Sequence, residues 1–269
     1  MLKINQWHEI RKKYQAESIA VVGNGPSALR YSIGNRIDAC DLVVRMNNYK
    51  ITAGFAPFIG VKIDVFLSSL FFRIVQKTEK DLRREGVRMI WSSIPDMPYV
   101  DQWPIDVARA KDNFPAYDIY LPSRYDFIKA VDKPDWHIFA RYAGYALMGQ
   151  KFLEAFGIWW PVPSSGLMAI LMAMNCRPKS MIITGFDFYA ADKKAHYYEE
   201  NGIIPKKTHH SFASEPAVLC KYIKKNRSIK FILALDPATK GLEPLSKMDN
   251  VEFIRRQLAG RESKVNIDA

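Results

Sequence analysis

The chain predicts an α/β fold: a mostly parallel sheet with helices packed on both faces. Two observations carry that expectation. Short apolar runs recur without inward-outward alternation, as in strands buried on both faces, and segments of helical period alternate with them. At 269 residues, 48% hydrophobic and 25% charged, the composition is ordinary for a globular protein with one substantial core. Residues 18–22 give the first strand, which runs into the turn Gly23-Asn24-Gly25-Pro26. Residues 41–47 and 63–67 give the second and third. Residues 78–85 are polar and helix-prone, and Gly86 ends them before a strand at 87–91. Strands at 180–184 and 230–235 complete the set, with helices at 139–156, 167–175 and 215–225. Two stretches break the rhythm. Residues 94–134, rich in proline, aspartate and tyrosine, are expected to wander over the surface. Residues 190–208, with Lys193-Lys194 and Asn201-Gly202, are expected to form a mobile lid on a single domain spanning 1–269.

The formal charge of +11 favours an acidic partner: nucleic acid, an anionic membrane surface or a phosphorylated substrate. Basicity alone supports nucleic acid, and no aromatic-basic RNA signature accompanies it, so no nucleic-acid partner is expected. The first eight residues hold no apolar signal-peptide core, and no apolar run approaches the length of a membrane span. Cys40, Cys176 and Cys220 are odd in number and lack C-x-x-C spacing, which suggests neither a disulfide framework nor zinc. A cytoplasmic protein is expected.

Gly23-Asn24-Gly25-Pro26-Ser27-Ala28 matches the G-x-G-x-x-A dinucleotide pattern, whose glycines let backbone N–H groups approach phosphate. A flavin or nicotinamide oxidoreductase is therefore one reading. That pattern also wants an acidic residue at the end of the second strand, and here Asn47-Asn48 stands there. An amide both donates to phosphate and accepts from ribose, which suits a mononucleotide phosphodiester. The turn also has a purely architectural reading. Pro163-Ser164-Ser165-Gly166 precedes a helix, so its serines are either N-caps or part of an anion site at the positive helix end. Gly185-Phe186-Asp187-Phe188-Tyr189 follows a buried strand and emerges at its C-terminal edge, where open α/β sheets bind ligands. Tyr189, His196, Tyr197 and Tyr198 place several neutral donors in one loop. His210 stands just before the helix at 215–225, whose positive end favours a neutral imidazole able to accept a proton, although a surface histidine near a cap fits equally. No Asp-x-Asp occurs anywhere, which points to a donor whose leaving group needs no metal, such as a nucleoside monophosphate ester.

Together these residues resemble the sialyltransferases of glycosyltransferase family 29. Residues 20–25 with Gly34, Asp38, Asp41 and Arg45-Met46-Asn47 are similar to its large sialyl motif. Pro163-Ser164-Ser165-Gly166 through Gly185-Phe186 is similar to the small motif, His196-Tyr197-Tyr198-Glu199 to the third, and His210 with Glu215 to the very small one. The chain also resembles the bacterial sialyltransferases of family 42, in Gly-Asn-Gly-Pro-Ser, in 185–189 and in His210-Ser211. The resemblance implies a Rossmann-like GT-A-type fold with a small lid, and an inverting, metal-independent glycosyltransferase with no cofactor. Its substrates would be a CMP-activated sialic acid, or CMP-Kdo as the alternative, and the hydroxyl of a glycan acceptor, lipid-linked at the inner membrane face. His210 would be the base, and Tyr189 with His196 or Tyr197 the donors to the departing phosphate. Gly23, Asn24, Gly25, Pro26, Ser27, Asn47, Asn48, Ser164, Ser165, Gly166, Gly185, Phe186 and Asp187 would bind substrate. Where vertebrate-type enzymes join the large and small motifs by a disulfide, this chain has Cys176 but Ser18-Ile19 in place of the second cysteine. Bacterial lipopolysaccharide or capsule synthesis is the expected setting; Arg83-Arg84-Arg88 and Lys221-Lys224-Lys225-Arg227 are either basic clusters for an anionic membrane or solvated helix faces, which explain them equally well.

Overall fold

The computed structural model of the chain describes residues 5–6, 15–68, 77–93, 112–121, 164–188, 196–198, 215–237 and 239–254. Within them lie β1 (Asn5–Gln6), β2 (Ser18–Val22), β3 (Leu42–Met46), β4 (Val65–Ser68), β5 (Met89–Ser92), β6 (Ile119–Leu121), β7 (Ser180–Thr184), β8 (Lys230–Ala234) and β9 (Val251–Phe253). They form one sheet in the order β1-β6-β5-β4-β3-β2-β7-β8-β9, and every neighbouring pair is parallel. The helices are α1 (Gly34–Asp38), α2 (Ala56–Ile59), α3 (Glu79–Arg84), α4 (Ser165–Asn175) and α5 (Glu215–Lys225), with 3-10 helices at Pro26–Arg30 and Glu243–Lys247.

The continuous apolar strands are explained by burial on both faces. In β2, Ile19 and Val21 join a cluster with the apolar residues of α4 and α5. Ala20 and Val22 point the other way, onto Ile37 of α1 and Ile59 of α2. Further along the sheet Phe66 and Ile90 pack with Leu82 of α3. Residues 166–174 of α4 are buried on all sides, so its methionines are core. A capping box opens α3, with Asp81 N–H donating to the Thr78 hydroxyl and Thr78 N–H to the Asp81 carboxylate. Gly86, at φ +82°, ends the segment in a conformation that favours glycine.

Several expectations match residue for residue: Ser18–Val22, Ser180–Thr184 and Glu215–Lys225. The stretch 94–134 differs from expectation, because β6 lies inside it and pairs with β5 and β1. The helix expected at 139–156 lies outside the described residues. Among the described residues no helix is long and apolar enough to cross a membrane. The three cysteines are free and buried, and burial pushes the thiols of Cys40 and Cys176 up to about 11 and about 12.

Strand order reverses at β2. From there the chain builds β3 to β6 on one side and returns to place β7 to β9 on the other. The segments leaving β2 and β7 therefore part at the C-terminal edge of the sheet, the crevice where open α/β folds take ligands.

Candidate functional site

Two backbone segments close the floor of that crevice. Gly23 N–H donates to Thr184 O at 2.8 Å and Gly25 N–H to Gly185 O at 2.9 Å, which welds the turn after β2 to the end of β7. A Cβ on Gly23 would lie 2.2 Å from Gly185 O, so glycine is required by this close approach. Ser27 N–H donates to Asp187 Oδ2 at 2.9 Å, and the same carboxylate oxygen would sit 2.3 Å from a Cβ on Gly25. In a dinucleotide fold the amides of such a turn face a pyrophosphate. Here the Gly23 and Gly25 amides are spent on β7, and Asp187 receives the Ser27 amide. The architectural reading of the glycines holds, and the second-strand acid that an oxidoreductase needs is still missing. Phe186 has its ring against both Gly166 and Gly23, where a Cβ would come within 2.7 and 3.1 Å of its Cε1. Phe186 and Asp187, read from sequence as substrate-binding, thus join the three motifs to one another.

Above this floor stand polar atoms without protein partners. Asn24 is 8% exposed; its Nδ2 donates to Met46 O at 3.0 Å, which leaves Oδ1 with no partner among the described residues. Ser27 Oγ, Asn47 Oδ1 and Thr184 Oγ1 are likewise unpartnered among the described residues. Asn47 adopts φ +53°, a left-handed conformation that asparagine tolerates better than most residues, and its N–H donates to Leu67 O at 2.9 Å. Asn24 and Asn47 therefore flank β3 at the crevice with accepting amide oxygens. Just before them Arg45 is fully buried, donating to Ile59 O at 2.6 Å and Lys62 O at 2.9 Å, so its cation meets the carbonyl end of α2. Burial pulls its pKa down.

At the serine turn the N-cap reading holds for Ser164. Ser164 is the N-cap of α4, with Leu167 N–H donating to its Oγ at 3.1 Å. Its own N–H donates to Glu215 Oε1 at 2.6 Å and its O–H to Glu215 Oε2 at 2.7 Å. Glu215 is 4% exposed, and burial, opposed by the two Ser164 hydrogen bonds, raises its carboxyl pKa from 4.5 to about 7. Ser165 Oγ lies 3.1 Å from Ser93 Oγ, at the end of β5. Ser165 and Gly166 stand at the positive N-terminal end of α4. Sequence reasoning had Glu215 only as part of a spacing and did not find Ser93 or Thr184. Neither local pattern nor period marks a partner 51 positions away.

The tripeptide His196-Tyr197-Tyr198 is bolted to the same edge. Tyr197 N–H donates to Asn24 O at 2.8 Å, its O–H to Lys50 O at 2.6 Å, and Lys50 N–H to Tyr197 Oη at 3.2 Å. Its ring is 8% exposed, edge-on to Phe55 at 5.1 Å, and burial leads the causes that raise the phenol's pKa. The Tyr197 hydroxyl is thereby committed to backbone. His196, half-buried, stacks on Tyr198 at 5.2 Å, and the Lys50 ammonium lies 5.4 Å over the Tyr198 ring. Asn48 follows Asn47 at the rim, and Pro26 opens the 3-10 helix after the glycine turn. Tyr189 and His210 lie outside the described residues.

Comparison with known proteins agrees with this geometry. The family model described as glycosyltransferase family 29 (sialyltransferase) matches residues 2–227. The human CMP-N-acetylneuraminate-beta-1,4-galactoside alpha-2,3-sialyltransferase is 23% identical over 212 residues, which are 76% of this chain and 54% of that protein. The chimpanzee protein of the same name matches equally, so the chain spans about half the length of these relatives. Among solved structures, the sialyltransferase CstII from Campylobacter jejuni, in complex with cytidine-5'-monophosphate, matches with TM-score 0.52 and 20% identity over 91% of this chain and 88% of that one. The monofunctional alpha-2,3-sialyltransferase Cst-I from the same organism gives TM-score 0.52 and 17% identity over 84% and 81%. These likenesses show a shared fold, and the family match over residues 2–227 shows more: this chain belongs to glycosyltransferase family 29, the sialyltransferases.

Proposed function

We propose that the chain is a CMP-sugar-dependent sialyltransferase that inverts the anomeric centre and works without a metal ion. The observation that carries this reading is the pair of amide oxygens, on Asn24 and Asn47, unpartnered among the described residues after β2 and β3 at the sheet's switch point; the Ser165-Gly166 amides open α4. That set offers acceptors for ribose and donors for one phosphate, while Asp187 takes the amide that a second phosphate would use. His210 accepts the acceptor's hydroxyl proton. The freed oxygen attacks the anomeric carbon on the face opposite CMP, the bond from that carbon to the phosphate oxygen breaks, and the electron pair leaves with CMP. Tyr189 and His196 donate to the phosphate as its charge grows. Tyr197, with its hydroxyl on Lys50, holds His196 in place. The donor is a sialic acid, in keeping with the family; CMP-Kdo, also a 2-keto-3-deoxy acid linked to CMP, is the alternative.

The acceptor is a glycan hydroxyl, and we place the reaction in bacterial surface-glycan synthesis at the cytoplasmic face. Lys221, Lys224, Lys225 and Arg227 support peripheral contact with an anionic, lipid-linked acceptor surface, being exposed and outside every ion pair among the described residues. The polar residues 190–208 serve as the lid of a single domain spanning 1–269. The decisive experiment scores CMP release from CMP-Neu5Ac and CMP-Kdo, with thermal stabilisation by CMP and by NAD alongside. Release from either donor with stabilisation by CMP alone is expected. Stabilisation by NAD without CMP release would move the protein to the oxidoreductases.

A further inference from the structure

Ser164 has no donor left for a phosphate. Its N–H and O–H go to the two oxygens of Glu215, and its Oγ accepts Leu167 N–H. A hydroxyl has one proton and two lone pairs, and the cap geometry has used the proton and one pair. What Ser164 does is set the angle at which the next residue enters α4. Ser165, in contrast, has a hydroxyl whose partner in the described structure is Ser93. Ser93 is itself rigid, being 3% exposed, at the end of β5, with its N–H on Ser68 O at 2.9 Å. Two separate elements, β5 and the first turn of α5, therefore reach the same dipeptide.

We propose that Glu215 and Ser93 are positioning residues that hold the Ser164-Ser165 turn from α5 and β5, so that Ser165, and not Ser164, meets the phosphate of the donor. Glu215 fixes the helix entry, and Ser93, by donating its O–H to Ser165 Oγ, leaves the Ser165 O–H to donate to the phosphate. Glu215 also opens α5, so its carboxylate ties the first residue of that helix to the serine turn. The inference rests on the reading of this turn as the site of the CMP phosphate.

The test measures CMP affinity by calorimetry and steady-state kinetics with the CMP-sugar, on the full chain, for Ser93→Ala, Glu215→Gln, Ser164→Ala and the Ser164→Ala/Glu215→Gln pair. Ser93→Ala should raise KM for the donor and Kd for CMP about 5-fold at an unchanged kcat, the worth of one hydrogen bond made in both ground and transition states. Glu215→Gln should raise both about 10-fold or more, because one of the two oxygens that accept from Ser164 becomes an amide nitrogen that cannot. Adding Ser164→Ala to it should cost no more than Glu215→Gln alone, since the two share one interaction. A merely structural role would lower the melting temperature without that split between KM and kcat, and would overturn the proposal. So would wild-type affinity in both Ser93→Ala and Glu215→Gln. A wild-type protein that binds no CMP would overturn the functional reading and this inference together, whereas tight wild-type binding with indifferent variants would overturn this inference alone.

Discussion

Glu215 should make the protein less stable as pH rises through neutrality, and Glu215→Gln should remove that slope. Its carboxyl is raised from 4.5 to about 7 because burial penalises the charge more than the two Ser164 hydrogen bonds favour it. Between those two values the folded state binds a proton that the unfolded chain has released, so unfolding free energy falls with increasing pH. At ~1.4 kcal/mol per pH unit, a displacement from 4.5 to about 7 corresponds to about 3 kcal/mol, lost between roughly pH 4.5 and pH 7 and constant above that. Asp41 and Asp81 act in the opposite sense and in another window. The backbone amide of Ser18 and the Thr78 hydroxyl lead the causes that hold their pKa values down, so their contribution is lost only as pH falls below the ordinary carboxylate range. Urea denaturation of wild type and Glu215→Gln at intervals from pH 4.5 to 8 isolates the effect, because every other group cancels in the difference. The difference should shrink by about 3 kcal/mol from the acid end to the alkaline end. Parallel profiles for the two proteins would refute the claim that a buried, ionising carboxylate holds Ser164.

His210→Ala should cut turnover by about 10²–10⁴, the usual worth of a positioned base, with CMP affinity little changed; if His209→Ala is the more damaging of the two, the choice of base is wrong. Activity should survive excess EDTA in an assay of CMP release, and loss restored by magnesium would overturn the proposed leaving-group chemistry. Tyr197→Phe removes the hydroxyl that bridges both backbone groups of Lys50 and should destabilise the fold by about 0.5–1.5 kcal/mol in denaturant titration, the net worth of a hydrogen bond at a partly buried site. Hydrogen exchange across residues 190–208 should slow when a CMP-sugar analogue binds, and equal protection with and without it would end the proposal of a lid.

The strands were legible because a parallel sheet buries both faces of each one, leaving runs such as Ser180–Thr184 with no polar interruption to confuse their limits. Leu42–Met46 was legible in spite of Arg45, whose guanidinium donates to Ile59 O at the end of α2 and to Lys62 O beyond it. The three-residue strands β6 and β9 were not, because a strand that short has no period to read. They exist because each lies beside a preformed neighbour, β5 and β8. At the site, the glycine turn, the serine turn and His196-Tyr197 were found by residue type, yet their division of labour was not. Asp187 reaches Ser27 across 160 positions and Tyr197 reaches Lys50 across 147, and such pairings are decided by topology after the sheet has formed. Sequence named Ser164 and Ser165 as equals. Only the Glu215 carboxylate, beneath one of them, tells them apart.

Two carboxylates, Asp187 at the glycine turn and Glu215 at the serine turn, hold the two turns that meet at the crevice. Placing anions beside a phosphate site appears self-defeating until their donors are considered. Asp187 has taken a backbone amide that would otherwise recruit a second phosphate, which narrows the site toward a monophosphate. Glu215 is buried deeply enough that near neutrality it is often protonated, which lessens its repulsion of a bound anion. On the proposed reading, what the described residues would turn toward the ligand is neutral: helix amides, the Ser165 hydroxyl and two asparagine side chains. Neutral donors hold a phosphodiester less tightly than lysine or arginine would, and they strengthen their hold as charge accumulates on the departing CMP. That differential is what a transferase with a nucleoside monophosphate leaving group requires, and it needs no cation to bridge a diphosphate. The same logic makes the +11 charge of the chain a property of its surface and its encounters, acting at a distance on anionic substrates while the crevice itself discriminates by geometry.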